Sequence, residues 1–231
     1  MRLDRMLSNA HAGTRSQVKK LVKEKRVKVN GVLAKTSSMQ IDEVNDEVTL
    51  DGIPVIYEEH MYLMLHKPAG YISATEGNVP TVMDLIYEDN NGLFPCGRLD
   101  KDTEGLLLIT NDGPLAHTLL SPKHHVEKEY YVEHALDMSE DDIVRLQSGI
   151  TYNGESYKPA KVNMITPRSC TLTITEGKYH EIKFMFQALG DKVTYLKRLR
   201  MKNLVLDESL KPGEYRYLTE EEIADLKADE Q

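Results

Sequence analysis

Gly97-Arg98-Leu99-Asp100-Lys101-Asp102-Thr103-Glu104-Gly105-Leu106-Leu107-Leu108-Ile109-Thr110-Asn111-Asp112-Gly113 organises the reading of this chain. Gly97 to Asp100 reads as a short turn that projects one carboxylate. Gly105 to Thr110 is an apolar, strand-like run that anchors the turn to a sheet. Asn111-Asp112-Gly113 is a turn signal that ends the strand. An aspartate on a rigid turn beside a strand is well placed for chemistry, because a reacting group must be held tightly against its substrate. The tetrapeptide Gly97-Arg98-Leu99-Asp100 alone would carry little weight in a chain with 37 acidic residues, most of which belong on solvated surface. The whole run carries the reading.

The chain of 231 residues is long enough for one sizeable core and a small appended module. No stretch approaches the roughly 18 apolar residues of a membrane span. The first ten residues, MRLDRMLSNA, lack the apolar segment of a signal peptide. Cys96 and Cys170 are the two cysteines, with no CxxC spacing, so neither a zinc site nor a disulfide framework is indicated. A cytoplasmic, monomeric protein is expected, with no membrane partner. The net charge of −8 hides an asymmetry: residues 1 to 35 hold ten Lys and Arg against Asp4 and Glu24, a local +8, leaving −16 on the remainder. A basic end on an acidic protein points to nucleic acid, with contacts in the larger part confined to a cleft.

The basic end reads as a unit of its own. Leu3, Met6, Leu7 and Ala10 recur at helical spacing up to Gly13. Thr14-x-x-Gln17 is a capping box opening a second helix, with Val18, Leu21 and Val22 on its apolar face. Arg15, Lys19 and Lys23 align along one side. Val27-Lys28-Val29 alternates like a strand, Asn30-Gly31 is a hairpin turn, and Val44 to Leu50 closes the unit. Asp51 to Pro54 and Glu58-Glu59-His60 read as linker, dividing the chain into 1–57 and 58–231. From Arg2-Leu3-Asp4 through Arg15-Ser16 to Arg26–Gly31, the pattern resembles the S4 RNA-binding domain. A helix with a basic stripe follows a phosphate backbone and positions RNA without reading its sequence. The expected RNA contacts are Arg2, Arg15, Ser16, Lys19, Lys20, Lys23 and Lys28.

Beyond the linker, Tyr62 to Leu65 reads as a buried strand and His66-Lys67-Pro68-Ala69-Gly70-Tyr71 as a tight turn. Pro114 to Leu120 reads as a helix and Val126 to His134 as a strand. Ser139 to Gln147 is a capped helix, Asn153-Gly154 a hairpin, and Thr171 to Thr175 β-rich. His180 to Leu189 is helical, Val193 to Leu206 strand-like, and Thr219-x-x-Glu222 caps a final helix. Recurrent hairpins among helices favour an α+β fold, a mixed and largely antiparallel sheet with helices against it.

Three segments together resemble the RsuA-type ribosomal RNA pseudouridine synthases, over nearly the whole chain from Arg2 to about Leu226. They are the run at 97–113, Glu127-Lys128-Glu129-Tyr130-Tyr131-Val132, and Glu176-Gly177-Lys178-Tyr179-His180-Glu181-Ile182-Lys183-Phe184-Met185-Phe186. The resemblance implies the pseudouridine synthase fold, with Asp100 as the catalytic aspartate. It also implies Tyr130 stacked on the extruded uracil and helping proton transfer, and Lys183 paired with Asp100. Ile182 packs beside the base, and Arg98 enters the space that the flipped uridine leaves. A surface salt bridge is the plainer alternative for Arg98, and core packing for Tyr130. Asp100 either attacks the ribose at C1′ or promotes loss of a C2′ proton, and both routes stay open. Three positions depart from the family pattern: His66 stands for Asn, Glu181 for Gln and Phe184 for a common Arg. The last two remove positive character.

No cofactor is expected, since the bond broken is internal to the substrate and no P-loop or dinucleotide glycine pattern is present. His180-Glu181 begins a zinc-type HExxH, but Phe184 occupies the second histidine position, so no metal site is expected. His124-His125 reads as a polar loop or an RNA contact. Within the family that the chain resembles, some large-subunit enzymes carry a long basic C-terminal extension; this chain ends in an acidic helix, so the resemblance implies small-subunit 16S rRNA as the substrate, free or within a ribosomal assembly intermediate. The alternatives are a large-subunit rRNA enzyme or a non-catalytic S4-type assembly factor. A glycosidase would need a second acid, and Asp102 is expected only to brace the turn.

Overall fold

The computed structural model describes residues 1–10, 12–55, 57, 60–88 and 92–228. They form two compact units, one spanning Met1–His60 and the other beginning at Met61. The Glu58-Glu59 part of the expected linker lies outside the described residues.

In the first unit α1 (Leu3–Asn9) and α2 (Arg15–Lys23) accompany a four-stranded sheet. Its strands are β1 (Val27–Val29), β2 (Val32–Leu33), β3 (Val48–Leu50) and β4 (Ile53–Pro54), in the order β2-β1-β3-β4. The Thr14–Gln17 capping box forms as read. Leu3, Met6, Leu7, Val18, Val22, Val27, Val29 and Val48 make one small core. Two expectations are corrected. The closing strand starts at Val48, while Val44 is 85 % exposed in a turn. Asp51-Gly52 is no linker: both residues have positive φ, 53° and 81°, and close a two-residue hairpin that pairs Leu50 with Ile53. Positive φ at both central positions gives such turns the twist of the flanking strands.

The second unit is built on β5 (Tyr62–Lys67), β6 (Phe94–Cys96), β7 (Glu104–Thr110), α3 (Gly113–Leu120), β8 (Lys128–His134), α4 (Glu140–Ser148), β9 (Ile150–Tyr152), β10 (Glu155–Tyr157), β11 (Lys161–Thr166), β12 (Ser169–Ile174), α5 (Glu181–Ala188), β13 (Val193–Met201), β14 (Leu204–Val205), β15 (Tyr215–Tyr217) and α6 (Glu220–Lys227). The large sheet runs β11-β12-β8-β13-β7-β5-β15, with β6 also on β7 and β14 also on β13. It is mixed and largely antiparallel, with β13 and β7 paired in parallel. Period-two alternation sends Leu63, Leu65, Leu107 and Ile109 to one face, against Leu146 of α4 and Ile182, Met185 and Phe186 of α5. Met64, Leu106 and Leu108 face the other way, against Leu115 and Leu119 of α3 and Leu226 of α6. A sheet covered on both faces explains why β5 and β7 read as unbroken apolar runs. Among the described residues no helix is long and apolar enough to cross a membrane.

Some boundaries move for local reasons. Asp112, read as part of a turn, caps α3: its Oδ1 accepts the Leu115 N–H at 3.0 Å, and its Oδ2 accepts the Tyr62 hydroxyl at 2.7 Å. The strand expected from Val126 starts at Lys128. The stretch 193–206 is two strands, broken by a turn where Lys202 takes φ 53°. At Gly105 the backbone of β7 passes so close to β13 that a Cβ would lie 2.2 Å from the Arg198 carbonyl oxygen, so no larger residue fits there.

Candidate active site

Asp100 stands on the turn between β6 and β7, and neighbouring chain segments tie that turn down. Leu99 buries its side chain in the core beneath it. The Ser73 hydroxyl donates to the Leu99 carbonyl and accepts from its N–H, each at 3.0 Å. The Gly70 N–H donates to the Lys101 carbonyl at 2.7 Å, and the Thr103 N–H to the Asp100 carbonyl at 3.0 Å. From β5 the fully buried Lys67 donates to the carbonyls of Pro68, Lys101 and Thr103 at 3.0, 3.3 and 2.7 Å. Burial pushes the Lys67 ammonium down to about 8. Sequence reading saw a tight turn at 66–71 and missed this lysine's grip on the aspartate turn. Nδ1 of the preceding His66 donates to the Leu210 carbonyl, 2.7 Å away, and so ties β5 to a different loop.

The third segment brings its charges to the same place. α5 begins after His180, whose left-handed backbone (φ 50°) turns the chain into the helix. One turn in, Lys183 Nζ lies 2.8 Å from Oδ2 of Asp100 and 2.6 Å from Oδ1 of Asp102. Burial alone would lower the lysine's pKa, but hydrogen bonds and charge from the two aspartates outweigh it and raise the pKa above the ordinary value. Asp102 is likewise held below the usual carboxylate range, as Lys183 outweighs partial burial. Asp102 thus shares the ammonium with Asp100 and ties the turn to α5. His180 Nε2 lies 3.5 Å from Oδ1 of Asp100, and its ring stacks on Tyr179 at 3.8 Å. Neither the zinc-type pattern nor the third segment gives this proximity, which depends on where the turn before α5 meets the Asp100 turn.

Asp100, His180 and Lys183 border a pocket of about 60 Å³, also lined by Tyr130, Ile182 and Arg98. Tyr130 is buried on β8, and burial pushes its phenol above the ordinary value, so it stays a neutral hydroxyl. Tyr131, next along the strand, turns away and donates to Glu133 at 2.9 Å. Ile182 is buried, whereas Arg98 is exposed at the rim and forms no ion pair with the described residues. Glu181 turns inward: its Oε2 accepts the N–H groups of Gly177 and Lys178, each at 2.8 Å, and burial pushes its carboxyl up. Phe184 stacks on Tyr152 with ring centroids 5.7 Å apart. Glu181 is therefore used in holding the turn before α5, and Phe184 in packing α5 against β9.

In the first unit Arg2, Arg15, Ser16, Lys19 and Lys23 line one groove, together with Lys35, Thr36, Ser37 and Ser38. Arg2 is also paired with Asp4 at 2.6 Å. Lys20 and Lys28 lie off the groove, Lys20 at 3.8 Å from Glu24. Lys35 was missed because it sits in a loop with no periodicity to align it.

A carboxylate locked to an ammonium beside a buried neutral phenol is a constellation suited to catalysis, and the cationic groove of the first unit suits an anionic polymer. Residues 61–188 match the RNA pseudouridylate synthase family and residues 1–48 the S4 domain. The chain belongs to the RNA pseudouridylate synthase family. It is 49 % identical to an uncharacterised RNA pseudouridine synthase of Bacillus subtilis, covering 96 % of this chain and 97 % of that protein. It is 42 % identical to ribosomal small subunit pseudouridine synthase A of Haemophilus influenzae, covering 98 % and 99 %. A crystal structure of a pseudouridylate synthase superposes with a TM-score of 0.70 at 41 % identity, covering 98 % of this chain and 99 % of the other.

Proposed function

We propose that this protein isomerises one uridine of small-subunit 16S rRNA to pseudouridine. The observation that carries the reading is the Asp100–Lys183 pair at 2.8 Å, set in one pocket with Tyr130 and Ile182. In the reaction the N1–C1′ bond breaks, a C5–C1′ bond forms, C5 loses its proton and N1 ends protonated. Asp100 supplies the anion, by attack at C1′ or by promoting loss of the C2′ proton. Lys183 orients and neutralises it. Tyr130 stacks on the base and donates or relays a proton as a neutral phenol, Ile182 packs beside the ring, and Arg98 fills the vacated stack. These roles need no cofactor.

The unit at 1–57 docks RNA through Arg2, Arg15, Ser16, Lys19 and Lys23, with Lys20 and Lys28 adding charge further off, and the unit at 58–231 carries out the chemistry. The small-subunit target is supported by full-length similarity to proteins named for it. A monomer suffices, because one chain supplies every residue named for the pocket. We read the protein as cytoplasmic, acting on rRNA free or within an assembly intermediate. The test is to incubate the purified chain with 16S and 23S transcripts and with partly assembled small subunits, and to map pseudouridine. A single new pseudouridine in 16S rRNA is expected. Modification of 23S alone would reassign the substrate, and none in any RNA would refute the reading.

A further inference from the structure

Tyr130, Arg98 and Gly177 border both the pocket at Asp100 and a second cavity, of about 500 Å³. Phe94 and Pro95 of β6 and Leu120 at the end of α3 form apolar walls, and Lys128 of β8 and Arg198 of β13 also line it. Both cations are deeply buried, Lys128 at 5 % and Arg198 at 2 % exposure. Among the described residues neither pairs with a carboxylate. Lys128 Nζ donates to the carbonyls of Val126 and Glu176, each at 2.9 Å, which leaves one of its three protons without a partner. Arg198 donates through Nε to the Leu106 carbonyl at 2.7 Å and also hydrogen-bonds Tyr130, while its buried Nη2 has no partner. Glu176 also lines the cavity, but its carboxylate is engaged elsewhere: Oε2 accepts the Lys158 N–H at 3.0 Å and Oε1 lies 3.6 Å from Lys178 Nζ.

Two buried, unpaired cations side by side are costly to a fold, since each loses hydration and each repels the other. Burial and then the nearby Arg198 push the Lys128 ammonium down to about 8. An anion entering the cavity relieves both, and every RNA substrate carries one at each nucleotide. We propose that this cavity is a phosphate subsite. It takes a backbone phosphodiester close to the target uridine, with Lys128 and Arg198 as counter-ions and Phe94, Pro95 and Leu120 covering the attached nucleoside. The proposal rests on the reading of the neighbouring pocket as an RNA site. It extends that site by about one nucleotide past the flipped base, into the adjoining cavity that shares Tyr130 and Arg98 with it.

The test replaces phosphates near the target uridine of an rRNA fragment, one at a time, by neutral methylphosphonates. One position is expected to weaken binding to the wild type by roughly tenfold, as loss of a charge-assisted contact does. Arg198→Met is expected to bind unmodified RNA about tenfold more weakly, with no further loss at that position. Its melting temperature without RNA should stay level or rise, because an uncompensated buried charge is gone. Lys128→Gln, which removes the charge and keeps a polar amide, provides the same comparison should Arg198→Met fail to fold. Equal methylphosphonate effects on the wild type and a folded variant, or no sensitive position at all, overturn the proposal. A wild type that turns over normally without the dependence strikes the subsite alone. One that shows the dependence but forms no pseudouridine strikes the proposed reaction and leaves the subsite standing.

Discussion

Lys183→Met separates chemistry from docking. The ammonium lies 2.8 Å from Asp100 and 2.6 Å from Asp102, with its side chain 20 % exposed and that of Asp100 25 % exposed. Unit charges about 3 Å apart attract by roughly 5 kcal/mol at an effective dielectric of 20. Partial exposure, and the sharing of one ammonium between two carboxylates, reduce the net effect to about half of that. Methionine keeps most of the stem's packing and leaves two carboxylates facing each other with no cation between them. A loss of about 2.7 kcal/mol corresponds to a hundredfold fall in rate. The assay is single-turnover release of tritium from 5-tritiated uridine at saturating rRNA, alongside the dissociation constant for the same RNA. The rate should fall about a hundredfold while affinity changes by less than about threefold, and Lys183→Arg should recover part of the rate. If affinity drops and the saturated rate holds, Lys183 is a phosphate contact and the assignment of its charge to Asp100 is wrong.

Asp100→Asn keeps the shape of the turn and removes the anion, so pseudouridine formation should vanish while the melting temperature stays within a few degrees. Near-normal turnover would remove Asp100 from the mechanism. Lys67 is expected to leave a signature in stability against pH. Its folded pKa, pushed down to about 8 by burial, lies below the ordinary lysine value of 10.5, so the unfolded chain binds more protons between those limits. The stability of the wild type relative to Lys67→Met should therefore rise as pH increases from about 8 towards 10.5, which denaturant midpoints at several pH values would read; a flat difference would mean that Lys67 is not desolvated. Neutralising Arg15, Lys19 and Lys23 together with glutamine should weaken RNA binding and lower the salt slope by about 2, with the saturated rate unchanged. An unaltered slope would move the phosphate contacts elsewhere.

The apolar runs at 62–65 and 105–110, the capping boxes at Thr14, Ser139 and Thr219 and the Asn-Gly hairpins were legible in the sequence. The caps and hairpins rest on contacts within a few residues, and the apolar runs on an unbroken hydrophobic composition that needs no partner to be read. The three motif segments pointed by resemblance to Asp100, Tyr130, Lys183 and Ile182, and these border a single pocket although up to 83 positions separate them. What periodicity could not reveal depends on partners distant in the chain. The Asp51-Gly52 hairpin was read as linker because β4 is only two residues long and owes its existence to pairing with β3. Lys67 looked like part of a turn until β5 and β7 were paired, which sets it under the carbonyls of residues 101 and 103. Lys128 and Arg198 sit in strands that read as ordinary alternation with basic interruptions. Their burial and their lack of counter-ions arise only when β8, β13 and β7 lie side by side, with Gly105 letting the backbones of β7 and β13 approach. Local chemistry and pattern are written along the chain. Desolvation, charge pairing and the shape of a cavity belong to what tertiary packing brings within a few ångströms.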